Sequence, residues 1–379
     1  MRLTIKRPGP WGVIIFSPRF FDSLPRLRRP VMNQSRALPE CWGHRGASAA
    51  FPENTLASFE AAIRDGAEGI ESDVHVSLDN VVVMFHDPEL QRTTDSIGKI
   101  KERRWYGEDG MEHVRTRKAP VQAIPTFAET VALLMKPENL HVKFNVDVKP
   151  QNDPDRLFKL MNEIISSQPD WEVNLAPRIL LGLWHPRFLS HAKALLPYCR
   201  RSHIGESLYL SRKYFWDDCE VFSVRFGVLT SADGQKFREE CKTANKKIMV
   251  WTVNNPEHMM EVRYIYLSQP LYLSSTYTQA VRWGVASILT DVTKTWLDLR
   301  TGLQGQLWSA SGDSNHSLMF NPADYEKIGA QYGRGFLWTT PYYYTPFLKF
   351  LGFASQKRLE VLAGPFDQFA MPAAIKGAA

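Results

Sequence analysis

Several features are missing from this 379-residue sequence, and each absence excludes a class of protein. No stretch reaches the ~18 consecutive apolar residues that a membrane-spanning helix needs, so the sequence does not predict one. Only four cysteines are present and no two have CxxC spacing, which excludes a zinc ribbon or a disulfide-stapled scaffold. We therefore expect four free thiols in a reducing compartment.

A strong charge imbalance is also missing. The chain has 46 Lys and Arg residues against 40 Asp and Glu residues, a formal net charge of +6. The body of the chain holds no long Lys/Arg run and no nucleic-acid-binding signature, so we expect no nucleic-acid partner. A mildly basic balance suits an anionic membrane or a phosphate substrate, and nothing in the sequence identifies a protein partner.

The N-terminal segment has its own composition. Residues 1–39 contain six prolines, which exclude a long helix or strand and predict a tail. Residues 1–40 also carry eight Arg or Lys residues and two acidic residues. An arginine-rich, acid-poor start is typical of a mitochondrial presequence, so targeting is one interpretation. The alternatives are an untargeted tail, or translation that begins at Met32.

From residue 40 onwards, strand-like segments alternate with helical ones. The apolar spacing of residues 53–65 predicts a helix, and Gly66 follows it as a C-cap. About eight strand–helix units over about 250 residues predict a parallel (β/α)₈ barrel, the TIM-barrel fold. An open doubly wound sheet is the alternative, but it usually carries a Gly-rich nucleotide turn, which this sequence lacks. The nine candidate strands, one more than the barrel needs, are residues 41–43, 69–74, 81–85, 141–149, 178–184, 201–205, 221–224, 247–253 and 287–290.

These patterns divide the chain into a tail of residues 1–39, a barrel domain of residues 40–299 and a C-terminal extension of residues 300–379. Residues 87–124 are polar and irregular, which predicts an insertion after the third strand. The extension holds Gly and Ser runs and then aromatic clusters between residues 336 and 353. We expect an irregular extension that contacts a membrane interface rather than crossing the bilayer.

Acidic residues end several of the predicted strands, where barrels of this kind hold their reactive groups. Glu71 and Asp73 are two residues apart on one strand, so both side chains face the same side. Asp147 ends a later strand, and carboxylates held together repel unless a cation or proton lies between them. An all-oxygen set favours Mg²⁺ or Ca²⁺ over zinc. The alternative is that these acids form ion pairs with Arg45 and Lys149.

Two histidines end predicted strands at the same edge. His44 follows the first strand and His86 the third, so the two imidazoles are candidates for a general base and a general acid. Which of them is the base stays open. Arg45 and Lys149 are candidates to hold phosphate oxygens, Arg by its planar fork and Lys as a point charge.

A series of short fragments in this order resembles the glycerophosphodiester phosphodiesterase family, over about residues 42 to 295. They are His44-Arg45-Gly46, Pro52-Glu53-Asn54-Thr55, Glu71-Ser72-Asp73-Val74, residues 86–94, Asp147-Val148-Lys149, Trp251-Thr252-Val253-Asn254 and Thr290-Asp291. The resemblance implies a (β/α)₈ barrel with residues 87–124 as its insertion.

The resemblance also implies roles for the candidate residues. One divalent cation would be held by Glu71, Asp73 and Asp147, with His44 and His86 as the acid–base pair. Phosphate would be held by Arg45 and Lys149. Supporting roles fall on Glu53, Trp251 and Asn254.

A closer resemblance is to the fungal phosphatidylglycerol-specific phospholipase C branch, carried by residues 178–184, residues 250–256 and an aspartate at Asp147. It implies hydrolysis of phosphatidylglycerol to diacylglycerol and glycerol 3-phosphate, with peripheral contact to an anionic membrane. One alternative is a soluble glycerophosphodiesterase acting on deacylated lipids such as glycerophosphocholine. Another is an inactive barrel that binds lipid.

Two further expectations follow from this resemblance. Residues 264–282 are rich in Tyr, Ser and Thr and look like an insertion, which leaves open whether the last strand closes the barrel. We expect an intracellular, membrane-associated protein at the mitochondrion or lipid droplet, with the cytoplasm as the alternative.

Overall fold

The computed structural model describes residues 38–261, 283–309 and 345–369. Most of the expected N-terminal tail, and the expected insertion at residues 264–282, lie outside the described residues. Within the described part, strands and helices alternate along the chain as the hydrophobic pattern predicts.

Eight parallel strands close into a barrel, which confirms the fold class predicted from the sequence. The nine strands of the described residues are β1 (Glu40–His44), β2 (Gly69–Val76), β3 (Val82–Met84), β4 (Lys143–Val148), β5 (Ile179–Leu183), β6 (Arg200–Gly205), β7 (Val221–Arg225), β8 (Lys247–Trp251) and β9 (Ser287–Thr290). β1 pairs with β2 on one side and with β9 on the other, and β9 pairs with β8. The last strand therefore closes the barrel, which settles the question left open by the sequence.

The ninth strand, β3, is not a stave of the barrel. It runs antiparallel to β2, with Val74 opposite Met84 and Val76 opposite Val82. β2 is long enough to continue past the rim, and β3 returns from there to the rim beside Asp73, whose carbonyl accepts the Phe85 N–H. His86 follows the third strand, as predicted, and this strand is the candidate that is not a stave. A hairpin brings His86 to the same edge. Asp147 therefore lies on the third stave of the barrel, although β4 is the fourth strand in chain order.

The helices cover the outside of the barrel. Those of the described residues are α1 (Leu56–Asp65), α2 (Phe127–Leu134), α3 (Pro154–Ser166), α4 (Trp171–Asn174), α5 (Arg187–Leu195), α6 (Leu208–Leu210), α7 (Phe226–Leu229), α8 (Ala232–Thr243), α9 (Pro256–Glu261), α10 (Thr293–Ser309) and α11 (Thr345–Ala363). α1 begins later than predicted, because Thr55 caps it by accepting the Ser58 N–H. Gly66 ends it in the left-handed region with φ 103°, as predicted.

The insertion at residues 87–124 is more ordered than its polar sequence indicates. It contains two 3₁₀ turns, Ile100–Glu102 and Met111–His113. Together with the β3 hairpin it builds a small apolar core of its own, formed by Val83, Phe85, Leu90, Ile100, Trp105, Met111, Val114 and Ile124. The insertion is therefore a packed subdomain at the rim of the barrel.

The C-terminal part also differs from the irregular extension that we expected. Helix α10 runs through residue 299, where we placed the end of the barrel domain, and residues 345–363 form α11. The chain after α11 docks on the barrel, since Phe366 is buried against His185 with ring centroids 4.3 Å apart. Among the described residues, no helix is long and apolar enough to cross a membrane.

All four cysteines are buried and form no disulfide, as expected. Burial raises the pKa of each thiol, to about 12 for Cys199 and Cys241. These side chains therefore behave as small apolar groups of the core rather than as nucleophiles.

The floor of the barrel interior depends on a close contact between Trp42 and Gly69. A cluster separate from the main core fills this interior, formed by Trp42, Leu180, Val221, Met249 and Leu289. Trp42 lies opposite Gly69 on the neighbouring strand, and a Cβ added at Gly69 would lie 2.4 Å from the Trp42 ring. A side chain at residue 69 has no room, because the indole is held among the other floor residues.

We predict that Gly69→Ala lowers the free energy of unfolding by about 1–3 kcal/mol, the usual result of overpacking a core. Urea unfolding followed by tryptophan fluorescence measures the change. Gly227→Ala is the matched control, since an added Cβ there has no atom within 4 Å. A Gly69→Ala variant as stable as the wild type contradicts the account of the floor.

His203 is a buried structural histidine. Its ring stacks on Phe215 with centroids 3.9 Å apart, and its Nδ1 lies 2.9 Å from the Ser211 hydroxyl. Burial lowers the pKa of His203 to about 3. Because the unfolded state takes up a proton near pH 6.5, the contribution of His203 to stability is complete above that pH and is lost as the pH falls toward 3.

We predict that this histidine makes stability fall by about 1.4 kcal/mol per pH unit between pH 6 and pH 4. In His203→Gln this dependence is absent, so the stability gap between wild type and variant narrows as the pH falls. Urea unfolding of both proteins at pH 7, 6 and 5 measures the gap, with the exposed His113→Gln as control. Parallel pH profiles for wild type and His203→Gln contradict the assignment.

Candidate active site

Three buried carboxylates meet at the C-terminal rim of the barrel. Glu71 and Asp73 lie on β2 and Asp147 lies on β4, where Asp73 and Asp147 are register partners. The three side chains are almost fully buried. One carboxylate oxygen from each residue lies within 4.8 Å of the other two. The structure therefore brings together the three acids that the sequence nominated.

The charges of this triad oppose one another. Burial, with Asp73 and Asp147 nearby, raises the pKa of Glu71 well above its usual range. Burial and the charge of Asp73 also raise the pKa of Asp147, although Lys149 opposes the rise. Burial works against ionisation of Asp73 too, but Lys149 and Arg45 hold its pKa well below the usual range. Two cationic side chains, Lys149 and Arg45, thus face three carboxylates. The triad therefore fits a divalent cation, which adds positive charge and prefers oxygen ligands.

Lys149 lies between two members of the triad. Its Nζ is 2.6 Å from Asp73 Oδ1 and 2.8 Å from Asp147 Oδ2. Burial opposes the charged ammonium, but Asp147 and Asp73 outweigh it and raise the pKa of Lys149. Ion pairing, which the sequence left as an alternative, is thus part of the structure. An ammonium has three donors, so two carboxylates leave one N–H of Lys149 for another acceptor.

Arg45 follows β1 in a conformation that non-glycine residues rarely adopt, with φ 58°. Its backbone N–H donates to Glu71 at 2.9 Å, and its Nη1 donates to Glu53 at 3.0 Å. Its Nε lies 3.5 Å from Asp73. Two carboxylates thus hold the guanidinium at the rim, and Glu53 is the supporting carboxylate that the sequence nominated.

His44 is held by a carboxylate at the end of the last strand. Its Nδ1 lies 2.7 Å from Asp291 Oδ1, and its Nε2 lies 4.0 Å from Glu71. Asp291 also accepts from the Ser48 hydroxyl at 2.8 Å and from the Asn254 amide at 2.5 Å. Burial opposes ionisation of Asp291, but the hydrogen bond and charge of His44 outweigh it and lower the pKa to about 2. The carboxylate is therefore ionised beside the imidazole.

Asn254 orients that carboxylate. Its Oδ1 accepts from the Thr290 hydroxyl and from the Asp291 N–H, so the amide can donate to Asp291 in only one orientation. This contact gives Asn254 a definite place beside His44.

Two tryptophans form one wall of the rim. Trp251, at the end of β8, donates its Nε1–H to the Ser223 carbonyl at 3.0 Å. The Trp184 ring packs edge to face against the Trp251 ring, with the ring centroids 5.8 Å apart. The Trp184 Nε1–H donates to Asp147 at 2.7 Å. Trp184 therefore orients one acid of the triad, a contact that strand ends alone did not reveal.

His86 is held in the same manner as His44. Its Nδ1 lies 2.6 Å from Asp87 Oδ1, and Asp87 accepts in turn from Arg92. Burial lowers the pKa of His86, and the charges of Lys149 and Arg45 add to this effect, while Asp73 opposes it. In each candidate histidine, Nδ1 thus lies within hydrogen-bond distance of a carboxylate oxygen.

Sequence reasoning did not assign roles to several residues that contact the candidate groups. Asp87 and Asp291 sit inside the family-like fragments, next to a strand end, which is the signal that could have identified them. Asn54 donates to Asp73 at 2.8 Å and accepts from the Ser72 hydroxyl, and its left-handed φ of 57° places it there. That conformation has no signature in the sequence beyond the asparagine itself.

Comparison with known proteins identifies the family. A model of the Glycerophosphoryl diester phosphodiesterase family matches residues 44–295, more than half of the chain. A glycerophosphodiester phosphodiesterase of Caldanaerobacter subterraneus subsp. tengcongensis is 24% identical over 270 residues, which are 68% of this chain and 95% of that protein. Human glycerophosphodiester phosphodiesterase 1 is 30% identical over 147 residues, 38% of this chain and 44% of that protein.

The fold is similar to that of solved relatives. An Oleispira antarctica phosphodiesterase, solved in complex with the product sn-glycerol-3-phosphate, superposes with a TM-score of 0.54 at 22% sequence identity. The alignment covers 70% of this chain and 97% of that one. At 22% identity, the structural similarity supports a shared barrel fold only. Membership of the family rests on the match of residues 44–295 to the family model. The chain belongs to the glycerophosphoryl diester phosphodiesterase family, a family of phosphoric diester hydrolases.

Proposed function

We propose that this protein is a metal-dependent phosphodiesterase that cleaves glycerophosphodiesters at the barrel rim. The observation that carries the proposal is the arrangement of two carboxylate-held imidazoles, His44 and His86, around the acids of the triad. Phosphodiester cleavage needs neutralisation of a phosphate anion and transfer of two protons, and this rim offers groups for each task.

The triad of Glu71, Asp73 and Asp147 is the proposed cation site. A divalent cation bound there supplies electrostatic stabilisation to the phosphate oxygens. Its three ligands are carboxylates, which suits Mg²⁺ or Ca²⁺ and does not separate the two. Arg45 and Lys149, which both lie beside Asp73, are the proposed contacts for the remaining phosphate oxygens.

The two imidazoles are the proposed proton carriers. A carboxylate on Nδ1 fixes the tautomer and leaves Nε2 free to exchange a proton with the substrate. Asp291 does this for His44, and Asp87 does it for His86. In the proposed reaction the glycerol 2-hydroxyl of the substrate loses its proton to one imidazole and attacks phosphorus. The other imidazole protonates the departing alkoxide, and water then opens the cyclic phosphate to glycerol 3-phosphate.

We predict that His44→Asn and His86→Asn each lower kcat by about 10²–10⁴, the usual range for acid–base residues. The exposed His113→Asn is the matched control and keeps wild-type turnover. Initial rates of glycerol 3-phosphate release, with thermal melts to confirm folding, measure the effect. Wild-type turnover in either site variant removes that histidine from the mechanism.

We predict that millimolar Mg²⁺ or Ca²⁺ raises the melting temperature of the wild-type protein. At one hundred times its dissociation constant, a bound cation adds about 2.7 kcal/mol to stability. The increment is lost in Glu71→Gln and Asp147→Asn, and kept in Asp298→Asn, whose carboxylate is exposed on α10. If the wild type gains nothing from either metal, an inactive barrel that binds lipid becomes the better account.

The finer part of the proposal is the lipid. Similarity of residues 178–184, residues 250–256 and Asp147 to the phosphatidylglycerol phospholipase C branch supports phosphatidylglycerol as substrate, with diacylglycerol and glycerol 3-phosphate as products. The glycerol head group of this lipid has the 2-hydroxyl that the proposed attack needs. A soluble glycerophosphodiesterase is the second candidate, because curated relatives carry that activity in their names.

Contact with an anionic membrane is part of this proposal. Phe350 and Phe353 on α11 and Tyr209 on α6 are exposed aromatic side chains, each more than half accessible. Lys213 lies over the Tyr209 ring, and Lys357 over the Phe353 ring. Aromatic and cationic side chains together suit the interface of an anionic bilayer.

We also propose a role for each segment of the chain. Residues 40–299, with the insertion at 87–124, carry the chemistry, and residues 300–379 carry the membrane contact together with Tyr209 and Lys213 of the barrel domain. Residues 1–39 are a tail or a targeting segment. The proposed location is an intracellular membrane, at the mitochondrion or lipid droplet, with the cytoplasm as the alternative for a soluble enzyme.

We predict hydrolysis of phosphatidylglycerol in vesicles in preference to soluble glycerophosphocholine. Phe350→Ser with Phe353→Ser lowers the rate on vesicles and leaves the rate on soluble glycerophosphoglycerol unchanged, because only the vesicle needs the aromatic side chains. Val173→Ser, an exposed apolar residue of α4, is the control. Activity confined to glycerophosphocholine contradicts the lipid assignment and supports the soluble enzyme.

A further inference from the structure

The insertion at residues 87–124 places two cationic side chains on the loop of residues 45–55, which connects β1 to α1. Arg92 forms a fork on Glu53, with Nη1 3.0 Å from Oε2 and Nη2 2.6 Å from Oε1. Lys118 Nζ donates to three backbone carbonyls of the same loop. The loop carries Arg45 at its start, so both contacts bear on a candidate phosphate ligand.

Arg92 joins two carboxylates that serve different candidate groups. Its Nε is 2.5 Å from Asp87 Oδ2, and its Nη2 is 3.3 Å from Asp87 Oδ1. Asp87 holds His86, while Glu53 holds Arg45. One guanidinium thus connects the histidine on the hairpin side to the arginine on the β1 side. The planar fork makes two contacts with each carboxylate, four in all, whereas an ammonium has only three donors.

The charges around Arg92 favour this bridge. The hydrogen bonds of Arg92 to Glu53, with those to Asp87, raise its pKa although partial burial opposes the rise. Burial opposes ionisation of Glu53, but Arg92 and Arg45 lower its pKa. Burial also opposes ionisation of Asp87, but Arg92 and His86 lower its pKa, so both carboxylates remain ionised. Among the described residues, the ion pairs of Glu53 are with Arg45 and Arg92, and those of Asp87 are with His86 and Arg92.

Lys118 contacts the backbone of the loop rather than its side chains. Its Nζ lies 2.7 Å from the Ser48 carbonyl, 2.8 Å from the Ala49 carbonyl and 3.1 Å from the Phe51 carbonyl. All three ammonium donors are used in this way. The Ser48 hydroxyl lies 2.8 Å from both the His44 carbonyl and Asp291 Oδ1, so the loop that Lys118 contacts also adjoins the carboxylate beside His44.

We propose that the insertion is an electrostatic clamp, in which Arg92 and Lys118 are positioning residues for Arg45 and His86. Arg92 acts by joining Asp87 to Glu53, and Lys118 acts by fixing the backbone of residues 45–55. The catalytic consequence rests on the proposed function, whereas the ordering of the loop does not depend on any substrate.

Hydrogen exchange of the substrate-free protein tests the ordering. Lys118→Met and Arg92→Met speed exchange of loop amides that are hydrogen-bonded in the structure, those of Ala47, Ala49, Phe51 and Asn54, by at least fivefold. Amides of α8 keep their wild-type rates. Two controls are used: Lys101→Met, at an exposed lysine of the same insertion, and Arg200→Met, at a half-buried arginine that pairs with the exposed Glu220. Unchanged exchange of the loop in both test variants overturns the clamp.

Kinetics on a soluble glycerophosphodiester test the role of the fork. Arg92→Met lowers kcat at least tenfold through His86 and raises KM through Arg45, while Arg200→Met changes neither. Arg92→Lys keeps the positive charge but recovers less than half of the lost kcat, because it lacks the fork. The double variant Arg92→Met/Asp87→Asn loses no more kcat than the worse of the two single variants, because each substitution removes the same contact, that between Arg92 and Asp87.

The outcomes separate the clamp from the proposed function. Full recovery in Arg92→Lys, or additive losses in the double variant, overturns the role of the fork. A folded wild-type protein that hydrolyses no glycerophosphodiester overturns the proposed function. The exchange experiment then still decides whether the insertion orders the loop.

Discussion

Mutual repulsion among Glu71, Asp73 and Asp147 is the constraint on which the rest of the rim depends. Three carboxylates removed from water cannot all ionise without positive charge among them. In the structure Lys149 and Arg45 supply part of that charge, which is why Asp73 is ionised while the pKa values of the other two acids rise. A divalent cation bound at the triad would complete the balance, as proposed for the function. The same need explains why the cationic side chains at this rim are tied to acids.

The barrel supplies the positions that this charge arrangement needs. Parallel strands bring β1, β2, β4 and β9 to one edge, so residues far apart in the chain meet there. The hairpin strand β3 adds His86, which no stave of the barrel provides. Each imidazole then receives a carboxylate from close to a strand end: Asp291 directly follows β9, and Asp87 lies three residues after β3. The support is similar on both sides, although the two carboxylates have different partners: neutral donors for Asp291 and a guanidinium for Asp87.

The sequence predicted the barrel, the triad and the two histidines, because hydrophobic period and strand ends are local signals. Gly66 likewise marked the end of α1 through its own conformational freedom. The direction of β3 was missed, since a short apolar run has the same period whether it runs parallel or antiparallel. The bridge from Arg92 to Glu53 was missed because the partners are 39 residues apart and only the fold brings them together. The apolar core of the insertion was hidden among polar residues, where a few contacts rather than a period define it.

Phosphorus NMR of glycerophosphoglycerol, mixed with the wild-type protein, tests the central claim most directly. The experiment records the diester signal first with added Mg²⁺ or Ca²⁺, then after excess chelator, and again after the metal is restored. The account predicts conversion of the diester to glycerol 3-phosphate, arrest by the chelator and recovery with metal. A diester that persists under every condition, or a hydrolysis that ignores the chelator, contradicts a metal-dependent phosphodiesterase at this rim.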